Sequence, residues 1–380
     1  MKKKVCFVAT LDLSVKVFLV DHMHFLQETF DLSVIVNTDD SHFLEPYGIQ
    51  AHVMPVAIER KISPLKDLRS LIDLFIVIRR EKFDILHSIM PKSGLLSMMA
   101  GLLARVPVRV HTFTGQVWKN STGAKRSILK FMDRLLVVCA THILVDSPSQ
   151  REFLISEGVV SRTKSSVIGN GSMCGVDTQR FRFDPEARRK VREMYDIPPS
   201  DIVFLFLGRL KVDKGILDLA RAFSSLCRWL PNTSLLIAGP DEEALAETIT
   251  EICAKCSDRV HITGFADAPE QYMSAADALC LPSYREGFGL VITEAAAVGI
   301  PSIGSRIYGI TDAIEDGVTG CLFEQGAHHE LMQKMARFVE DPSLVRTMGK
   351  RARTNILEKF TKEKITSAMI NFYKVLEGSL

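Results

Sequence analysis

Short apolar runs and longer amphipathic stretches alternate along this chain almost from end to end. The short runs are rich in valine, isoleucine and leucine, which is typical of buried strands. In the first half they lie at residues 5–10, 32–36, 85–87, 108–112, 142–146 and 166–168. The stretches between them place apolar residues at helical spacing, as in 64–80 and 93–103, so these segments are predicted to be helices.

The segment 169–186, GNGSMCGVDTQRFRFDPE, interrupts the alternation with glycines and turn-forming residues. Strand-like runs resume at 202–208, 234–239, 260–264, 278–283 and 300–305, and the tail from Asp341 onward is predicted to be helical. Strands that alternate with helices imply parallel sheets covered by helices on both faces. The chain is therefore predicted to be an α/β protein of two Rossmann-like, doubly wound domains facing a cleft, at 1–170 and 171–360.

Length and composition agree with this organisation. A chain of 380 residues is long for one core, and 47% hydrophobic with 24% charged residues is typical of a soluble globular protein. No apolar run reaches the roughly 18 residues that span a bilayer. The basic start MKKKVCFVAT continues into Leu11-Asp12-Leu13 without a small-residue cleavage site, so a first strand is predicted there and not a signal peptide.

The net charge of +2 is divided unevenly along the chain. Residues 1–165 hold 22 Lys and Arg against 16 Asp and Glu, a balance of +6, and the remainder has a balance of −4. The first half is therefore expected to be attracted to anionic surfaces or substrates. Among the eight cysteines, Cys253 and Cys256 have CxxC spacing, but no second pair or nearby histidine completes a zinc site. We interpret them as thiols on a helix in a reducing compartment.

Cationic residues, among them Arg209 and Lys214, follow the first strand of the second half, in the sequence FLGRLKVDKG at 206–215. Ligands of doubly wound sheets bind at the carboxyl ends of strands, so Arg209 and Lys214 are expected to line a site there. Their charges match a pyrophosphate, which accepts strong charge-assisted hydrogen bonds. The alternative is an ordinary solvated loop.

A second motif, REGFGLVITEAAAVG at 285–299, places carboxylates on both sides of a predicted helix start near Gly289. The unpaired N–H groups of a helix start suit phosphate, and the glycines permit close approach. Glu286 would repel phosphate, so its expected partner is a neutral sugar hydroxyl, and Glu294 is placed to accept from a diol such as ribose. The alternative is that both charges merely favour the helix dipole.

Together these two motifs resemble the retaining nucleotide-sugar glycosyltransferases of family four, which have the GT-B fold. The resemblance covers nearly the whole chain, and the segments 91–118 and 167–181 resemble bacterial members that build capsule and O-antigen repeat units. It implies transfer of an N-acetylated amino sugar from a UDP-sugar to an undecaprenyl-pyrophosphate-linked saccharide. It also implies that residues 1–170 bind the acceptor, that 171–360 bind the nucleotide sugar, and that a helix at 361–380 crosses back to the first domain.

The resemblance implies roles for individual residues. Arg209 and Lys214 hold the donor diphosphate and stabilise the leaving charge, with Glu286 as the third catalytic residue. Further donor-binding residues are implied at Gly264, Gly287, Phe288, Gly289, Leu290 and Glu294. Acceptor-side residues are implied at His87, Lys92, His111, Thr114 and Gly115.

The chain departs from the family on the acceptor side. Thr114 stands where many relatives have a histidine, and the family's His-x-His is reduced to His87-Ser88-Ile89. His111 is therefore predicted to be a core residue rather than a catalytic one. The resemblance implies a reaction on one face of the sugar that rests on positioning and on charge stabilisation at the phosphate. No Asp-x-Asp triplet occurs in the chain, so no metal or other cofactor is expected.

The segment 118–136 is basic and apolar at once. It carries Lys119, Lys125, Arg126, Lys130 and Arg134 among Ile128, Leu129, Phe131, Met132 and Leu135. Residues 125–136 fit a basic amphipathic helix, which indicates peripheral contact with the anionic inner face of a bacterial cytoplasmic membrane. The alternative is an ordinary helix with a solvated basic face. Nucleic acid is not an expected partner, since aromatic and basic residues do not interleave.

Two rival functions share this architecture. A nucleotide-sugar 2-epimerase would need acids and bases around the sugar, and the paired glutamates argue against it. A catalytically inactive sugar-nucleotide-binding partner of a polysaccharide assembly complex would not need all four of Arg209, Lys214, Glu286 and Glu294. Slow donor hydrolysis distinguishes an enzyme from such a partner.

Overall fold

The computed structural model describes residues 2–60 and 62–378. Its strands are β1 (Lys4–Leu11), β2 (Asp31–Asn37), β3 (Ala51–Pro55), β4 (Ile85–Ile89), β5 (Val108–Phe113), β6 (His142–Val145), β7 (Ser165–Val167), β8 (Ile202–Leu207), β9 (Thr233–Ala238), β10 (Val260–Gly264), β11 (Ala278–Leu281), β12 (Ser302–Ser305) and β13 (Gly320–Phe323). Its α-helices are α1 (Asp12–Phe18), α2 (Val20–Leu26), α3 (Pro64–Glu81), α4 (Pro91–Leu103), α5 (Gly123–Cys139), α6 (Pro148–Ser156), α7 (Pro185–Met194), α8 (Ile216–Leu226), α9 (Ala246–Ile252), α10 (Pro269–Ala275), α11 (Leu290–Val298), α12 (Ile310–Ala313), α13 (His328–Glu340), α14 (Pro342–Lys359) and α15 (Lys362–Glu377).

The chain divides into two units. Unit 1 runs to Gly175 and resumes at Lys362, and unit 2 is Val176–Thr361. Unit 1 contains a seven-stranded parallel sheet in the order β3-β2-β1-β4-β5-β6-β7. Its interior strand β1 is apolar on both faces, as a parallel strand between two helix layers must be. Val5 and Phe7 join a core with α1, α2 and α15, and Cys6 and Val8 join the opposite core with α3, α4 and α5.

Helix α15 completes the first of these cores. Ile365, Met369, Tyr373 and Leu376 recur at helical spacing and are all buried within unit 1. The predicted return of the C-terminal helix to the first domain is confirmed.

Unit 2 contains a six-stranded parallel sheet in the order β10-β9-β8-β11-β12-β13. The chain winds outward from β8 in one direction and then, from β11, in the other. Two parallel-sheet α/β units without a closed barrel confirm the predicted fold class.

Two strands were absent from the sequence prediction. Strand β3 is at the sheet edge, where Ala51-His52-Val53-Met54-Pro55 shows only a weak apolar pattern. Strand β13 has four residues, GCLF, which is too short for periodicity to distinguish.

The cysteine prediction is wrong for Cys256. This residue lies in a 3₁₀ segment, Ala254–Arg259, and is disulfide-bonded to Cys227, 29 residues earlier. Cys253 is a buried free thiol, as expected. Within 2–60 and 62–378, no group of three or more His, Cys, Asp or Glu side chains is arranged to hold a metal ion.

Candidate functional site

The predicted donor-side residues of unit 2 follow the carboxyl ends of its central strands. Arg209 and Lys214 follow β8, and Glu286 follows β11, the neighbour of β8 in the sheet. The winding direction reverses between these two strands. The crevice at such a switch point is where doubly wound sheets bind ligands.

An ion pair joins the two motifs at this switch point. The Nζ of Lys214 lies 2.6 Å from the Oε1 of Glu286, and the Ser283 hydroxyl donates to the same oxygen at 2.8 Å. Both charged side chains are largely shielded from solvent. The negative charge of Glu286 is thus balanced by Lys214, so the carboxylate repels a neighbouring phosphate less than an unpaired carboxylate would.

Close backbone packing makes this pair possible. Gly215 has φ +70°, and a Cβ there would overlap the carbonyl oxygen of Pro282. Asp213 accepts a hydrogen bond from Arg285 at 3.0 Å and, through its carbonyl, one from the Tyr284 amide at 2.9 Å. These contacts tie the loop after β8 to the loop after β11, so Lys214 and Glu286 are held at a fixed separation.

Arg209 belongs to a second charged cluster that the sequence prediction missed. Its Nη1 lies 3.1 Å from the Oε2 of Glu242, and the Nζ of Lys211 lies 3.2 Å from the Oε1 of Glu243. Both glutamates follow β9 in the sequence GPDEE. The signal was an acidic run directly after a strand that ends at the same sheet edge.

Helix α11 begins where the sequence predicted, with Gly289 at φ +82° as its N-cap. The Phe288 side chain is buried, and its ring packs on Phe360 at 5.2 Å between centroids. Phe288 therefore offers a ligand its backbone and not its ring. Gly309 packs closely on the backbone of Gly287, since a Cβ at position 309 would lie 2.5 Å from the Gly287 carbonyl oxygen. Leu290 is half-buried against the core of unit 2.

Glu294 lies one turn into α11 and is half-buried. Burial raises its pKa to about 7, and the nearby Arg180 opposes this shift. Among the residues that the structure describes, no hydrogen bond to the Glu294 carboxyl is formed. Its oxygens are therefore available as acceptors for a ligand.

The carboxyl end of β10 adds a glycine and an aromatic ring. Gly264 has φ +73°, its carbonyl accepts from the Gly239 amide at 2.7 Å, and a Cβ there would meet no atom within 4 Å. The next residue, Phe265, is 68% exposed. The sequence prediction named Gly264 but missed Phe265, whose signal was an aromatic residue directly after a strand-ending glycine.

Both histidines of the predicted acceptor-side set lie in the core of unit 1, so neither is placed to contact an acceptor. For His111 this confirms the predicted core position, whereas for His87 the acceptor-side prediction is wrong. His87 Nδ1 is 2.5 Å from the Tyr373 hydroxyl, and its Nε2 is 2.7 Å from the Thr112 hydroxyl. His111 is fully buried, with Nδ1 2.9 Å from the Ser88 hydroxyl. Burial lowers the pKa of each imidazole to about 3, so both rings are neutral.

The other acceptor-side residues lie near the carboxyl ends of β4 and β5. Lys92 Nζ is 2.5 Å from Asp67 Oδ1, which fixes the side chain within unit 1. The Thr114 carbonyl accepts from the Gln150 side chain at 2.6 Å, and Gly115 follows it. Contact of these three residues with an acceptor stays a prediction.

The predicted amphipathic helix 125–136 lies within α5. Ile128 and Phe131 are exposed, whereas Leu135 packs against the core. Two of the predicted surface cations, Arg126 and Lys130, are paired with Glu157 at 2.9 and 2.6 Å. The helix therefore exposes apolar side chains, as predicted for an amphipathic helix, but two of its predicted surface cations are held in ion pairs.

No helix within the described residues combines the length and apolar character needed to cross a membrane.

Two sequence families match the chain, one in each unit. Residues 187–355 match the family described as glycosyl transferases group 1, and residues 26–171 match the glycosyl transferase 4-like domain. Between them, these matches include Arg209, Lys214, Glu286 and Glu294.

Two curated relatives extend over nearly the whole chain. The capsular polysaccharide biosynthesis glycosyltransferase CapM of Staphylococcus aureus is 29% identical over 92% of both chains. The UDP-Gal:alpha-D-GlcNAc-diphosphoundecaprenol alpha-1,3-galactosyltransferase of Escherichia coli is 28% identical, over 91% of this chain and 89% of its own.

A solved structure has the same fold. HepE from Anabaena, crystallised with UDP and glucose, superimposes with a TM-score of 0.81 at 19% identity, over 98% of this chain and 100% of its own.

Proposed function

Because the chain belongs to the family-four glycosyltransferases with the GT-B fold, as a member similar to enzymes of capsular polysaccharide biosynthesis, we propose its donor, acceptor and mechanism. The donor is a UDP-sugar that carries an N-acetylated amino sugar. The acceptor is a saccharide linked to undecaprenyl pyrophosphate. The Lys214–Glu286 pair at the switch point of unit 2 is the observation that carries this proposal.

In the proposed donor complex, Arg209 and Lys214 bind the diphosphate, and the backbone around Phe288–Leu290 supplies the positive end of the α11 dipole. Glu286 accepts from hydroxyls of the sugar. The Glu294 carboxylate accepts from the ribose hydroxyls. This arrangement places charge-matched groups on the phosphates and hydrogen-bond acceptors on either side.

The uracil ring lies beside Gly264 in the same proposal. The absence of a side chain there leaves open space, and the exposed ring of Phe265 offers an aromatic face next to it. This assignment follows from their shared position at the end of β10.

The proposed reaction retains the configuration of the sugar. The bond between the anomeric carbon and the diphosphate oxygen breaks, and the acceptor hydroxyl forms a new bond on the same face. Its proton passes to the departing phosphate oxygen. Arg209 and Lys214 stabilise the negative charge on that phosphate, so the protein supplies the positive charge that a metal ion would otherwise provide.

A lipid-linked acceptor requires the enzyme to reach a membrane surface. We place that contact on unit 1, through α5, and locate the protein on the inner face of the cytoplasmic membrane. The exposed Ile128 and Phe131 and the excess of basic residues in 1–165 support this placement.

A thermal-shift screen of nucleotide sugars tests the donor assignment, since a ligand that binds only the native state raises its stability. UDP-N-acetylhexosamines are expected to raise the melting temperature more than the GDP- or ADP-sugars. The selected donor is then incubated with lipid-linked acceptor, and without it. Transfer supports the proposal; binding with neither transfer nor slow hydrolysis would favour the inactive sugar-nucleotide-binding partner.

A further inference from the structure

Helix α3 has a second apolar face, which is exposed to solvent in unit 1. Leu65, Leu68, Ile72 and Ile76 are between 50% and 84% exposed, and Ile62 just before the helix is 76% exposed. The four helical positions are spaced by three, four and four residues, so they form one stripe. The stripe spans about 16 Å along the helix axis.

The opposite side of α3 already serves the core. Leu74 and Ile78 are buried in unit 1, and Ser70 on the same side donates to the Lys66 carbonyl at 2.9 Å. The exposed stripe therefore contributes nothing to the packing of α3 on the sheet. A helix that is apolar on two sides packs one face on its own core and presents the other as a surface that can contact a membrane or another protein.

Arginine side chains flank the stripe. Arg69 lies on one side of it, with its nearest carboxylate, Asp73, at 4.0 Å, and Arg79 and Arg80 lie at its end. The segment 60–82 has seven basic and three acidic residues, a balance of +4. Long cationic side chains beside an apolar stripe suit a surface that is apolar below and anionic above.

The stripe is one part of a larger face. Helix α3 packs against α4, and α4 packs against α5, all on the same side of the sheet. Leu102 and Leu103 are exposed at the end of α4, and Ile128 and Phe131 are exposed on α5. Apolar side chains thus project outward from three adjacent helices.

We propose that α3 is a principal lipid-binding element of this protein, and that α3 and α5 together seat unit 1 on an anionic bilayer. This inference rests on the proposed function for its reason, a lipid-linked acceptor, but not for its evidence. The stripe lies in the interface plane, and its arginines contact lipid phosphates. Some cations of both helices are already paired with carboxylates: Arg126 and Lys130 of α5 with Glu157, and Lys66 and Arg80 of α3 with Glu59 and Glu81.

Flotation with lipid vesicles tests this proposal directly. The full chain is mixed with vesicles of phosphatidylethanolamine and phosphatidylglycerol, or of phosphatidylcholine alone. Binding is expected to the first and to weaken as salt is raised. The double variant Leu68→Ser, Ile72→Ser should lose roughly 10- to 100-fold in partitioning, since each side chain removes apolar area from the lipid contact.

The same unit offers a matched control on the opposite side of its sheet. Val17 in α1 and Val375 in α15 are 50% and 70% exposed. The double variant Val17→Ser, Val375→Ser removes similar apolar groups and should bind vesicles as the unaltered chain does. Equal losses in both double variants would overturn the proposal, as would equal binding to phosphatidylcholine alone.

Two further measurements separate the remaining outcomes. If Leu68→Ser, Ile72→Ser abolishes a dimer seen by light scattering and leaves vesicle binding intact, the face is an interface between copies and the proposal is overturned. Transfer to a water-soluble acceptor with a shortened prenyl chain should be unchanged in this variant, whereas transfer to the full lipid in vesicles should fall. A chain that binds vesicles through α3 but transfers no sugar would refute the proposed function while supporting this one.

Discussion

Replacing Tyr373 by phenylalanine tests whether α15 is held to unit 1 by a buried polar contact as well as by apolar packing. Tyr373 is fully buried, and its hydroxyl lies 2.5 Å from His87 Nδ1. Burial raises the pKa of the tyrosine well above its usual value, so the hydroxyl keeps its proton and forms a neutral hydrogen bond with the uncharged imidazole. The substitution leaves packing intact but removes the one hydrogen-bond partner that Nδ1 has among the described residues.

The expected loss of stability follows from the loss of this hydrogen-bond partner. A buried polar atom without a partner lowers the free energy of unfolding by about 1–3 kcal/mol. For a unit of this size, each kcal/mol lowers the melting temperature by about 2–4 °C, so a fall of roughly 2–12 °C is expected. The measurement belongs at pH 8, above the ordinary pKa of 6.5 for histidine, because His87 is then neutral in both the folded and the unfolded state.

The chain contains its own reporter for unit 1. Of its two tryptophans, Trp118 is buried in unit 1 and donates to Asp133 at 2.6 Å, whereas Trp229 in unit 2 is 82% exposed. In a Trp229→Phe background, the emission shift on heating follows the unfolding of unit 1. Tyr47→Phe, at an exposed tyrosine of the same unit, is the control. A melting temperature for Tyr373→Phe equal to that control would refute the reasoning.

Four other outcomes are expected. Lys214→Ala and Glu286→Ala should each lower kcat at least about 100-fold with the melting temperature of unit 2 nearly kept, and wild-type kcat in either would remove that residue from the mechanism. UDP should bind roughly tenfold more weakly at pH 6 than at pH 8, because the Glu294 carboxylate, with its pKa raised to about 7, is the acceptor form; Glu294→Gln should abolish this dependence in calorimetry. Glu242→Gln should tighten UDP binding, since Glu242 competes for Arg209, and unchanged or weaker binding would contradict that competition. Truncation before 361 should abolish the cooperative unfolding transition of unit 1, because it removes four buried apolar side chains worth about 1.5–3 kcal/mol each; a retained transition would show that α15 is dispensable.

The central strands could be predicted from the sequence because strands buried on both faces need continuous apolar runs, as in Val5–Val8 and Val203–Phe206. The positions of the two candidate motifs at the carboxyl ends of strands could be predicted because both directly follow such apolar runs. Their direct contact could not be predicted, because Lys214 and Glu286 are 72 residues apart and are brought together by tertiary contacts between their loops, such as the packing of Gly215 on Pro282.

The errors have a common physical cause. A histidine in a strand points to one face or the other, and the sequence around His87 does not show that its face is closed by a helix as distant in sequence as α15. The Cys227–Cys256 bond likewise joins segments whose proximity depends on tertiary packing. Lys211 and Glu242 were missed because a single charged residue on a loop gives no sequence signal, and their proximity in the structure is what marks them as a charged cluster.

The discontinuity of unit 1 has a consequence for how the protein is made. Unit 2 is a single stretch, Val176–Thr361, and can close its core as soon as that stretch has left the ribosome. Most of unit 1 is translated before unit 2, yet its core lacks Met369, Tyr373 and Leu376 until residues 362–377 have been synthesised. The core of unit 2 can therefore close before that of unit 1, and the first part of unit 1 leaves apolar surface uncovered in the meantime, a state that is prone to aggregation.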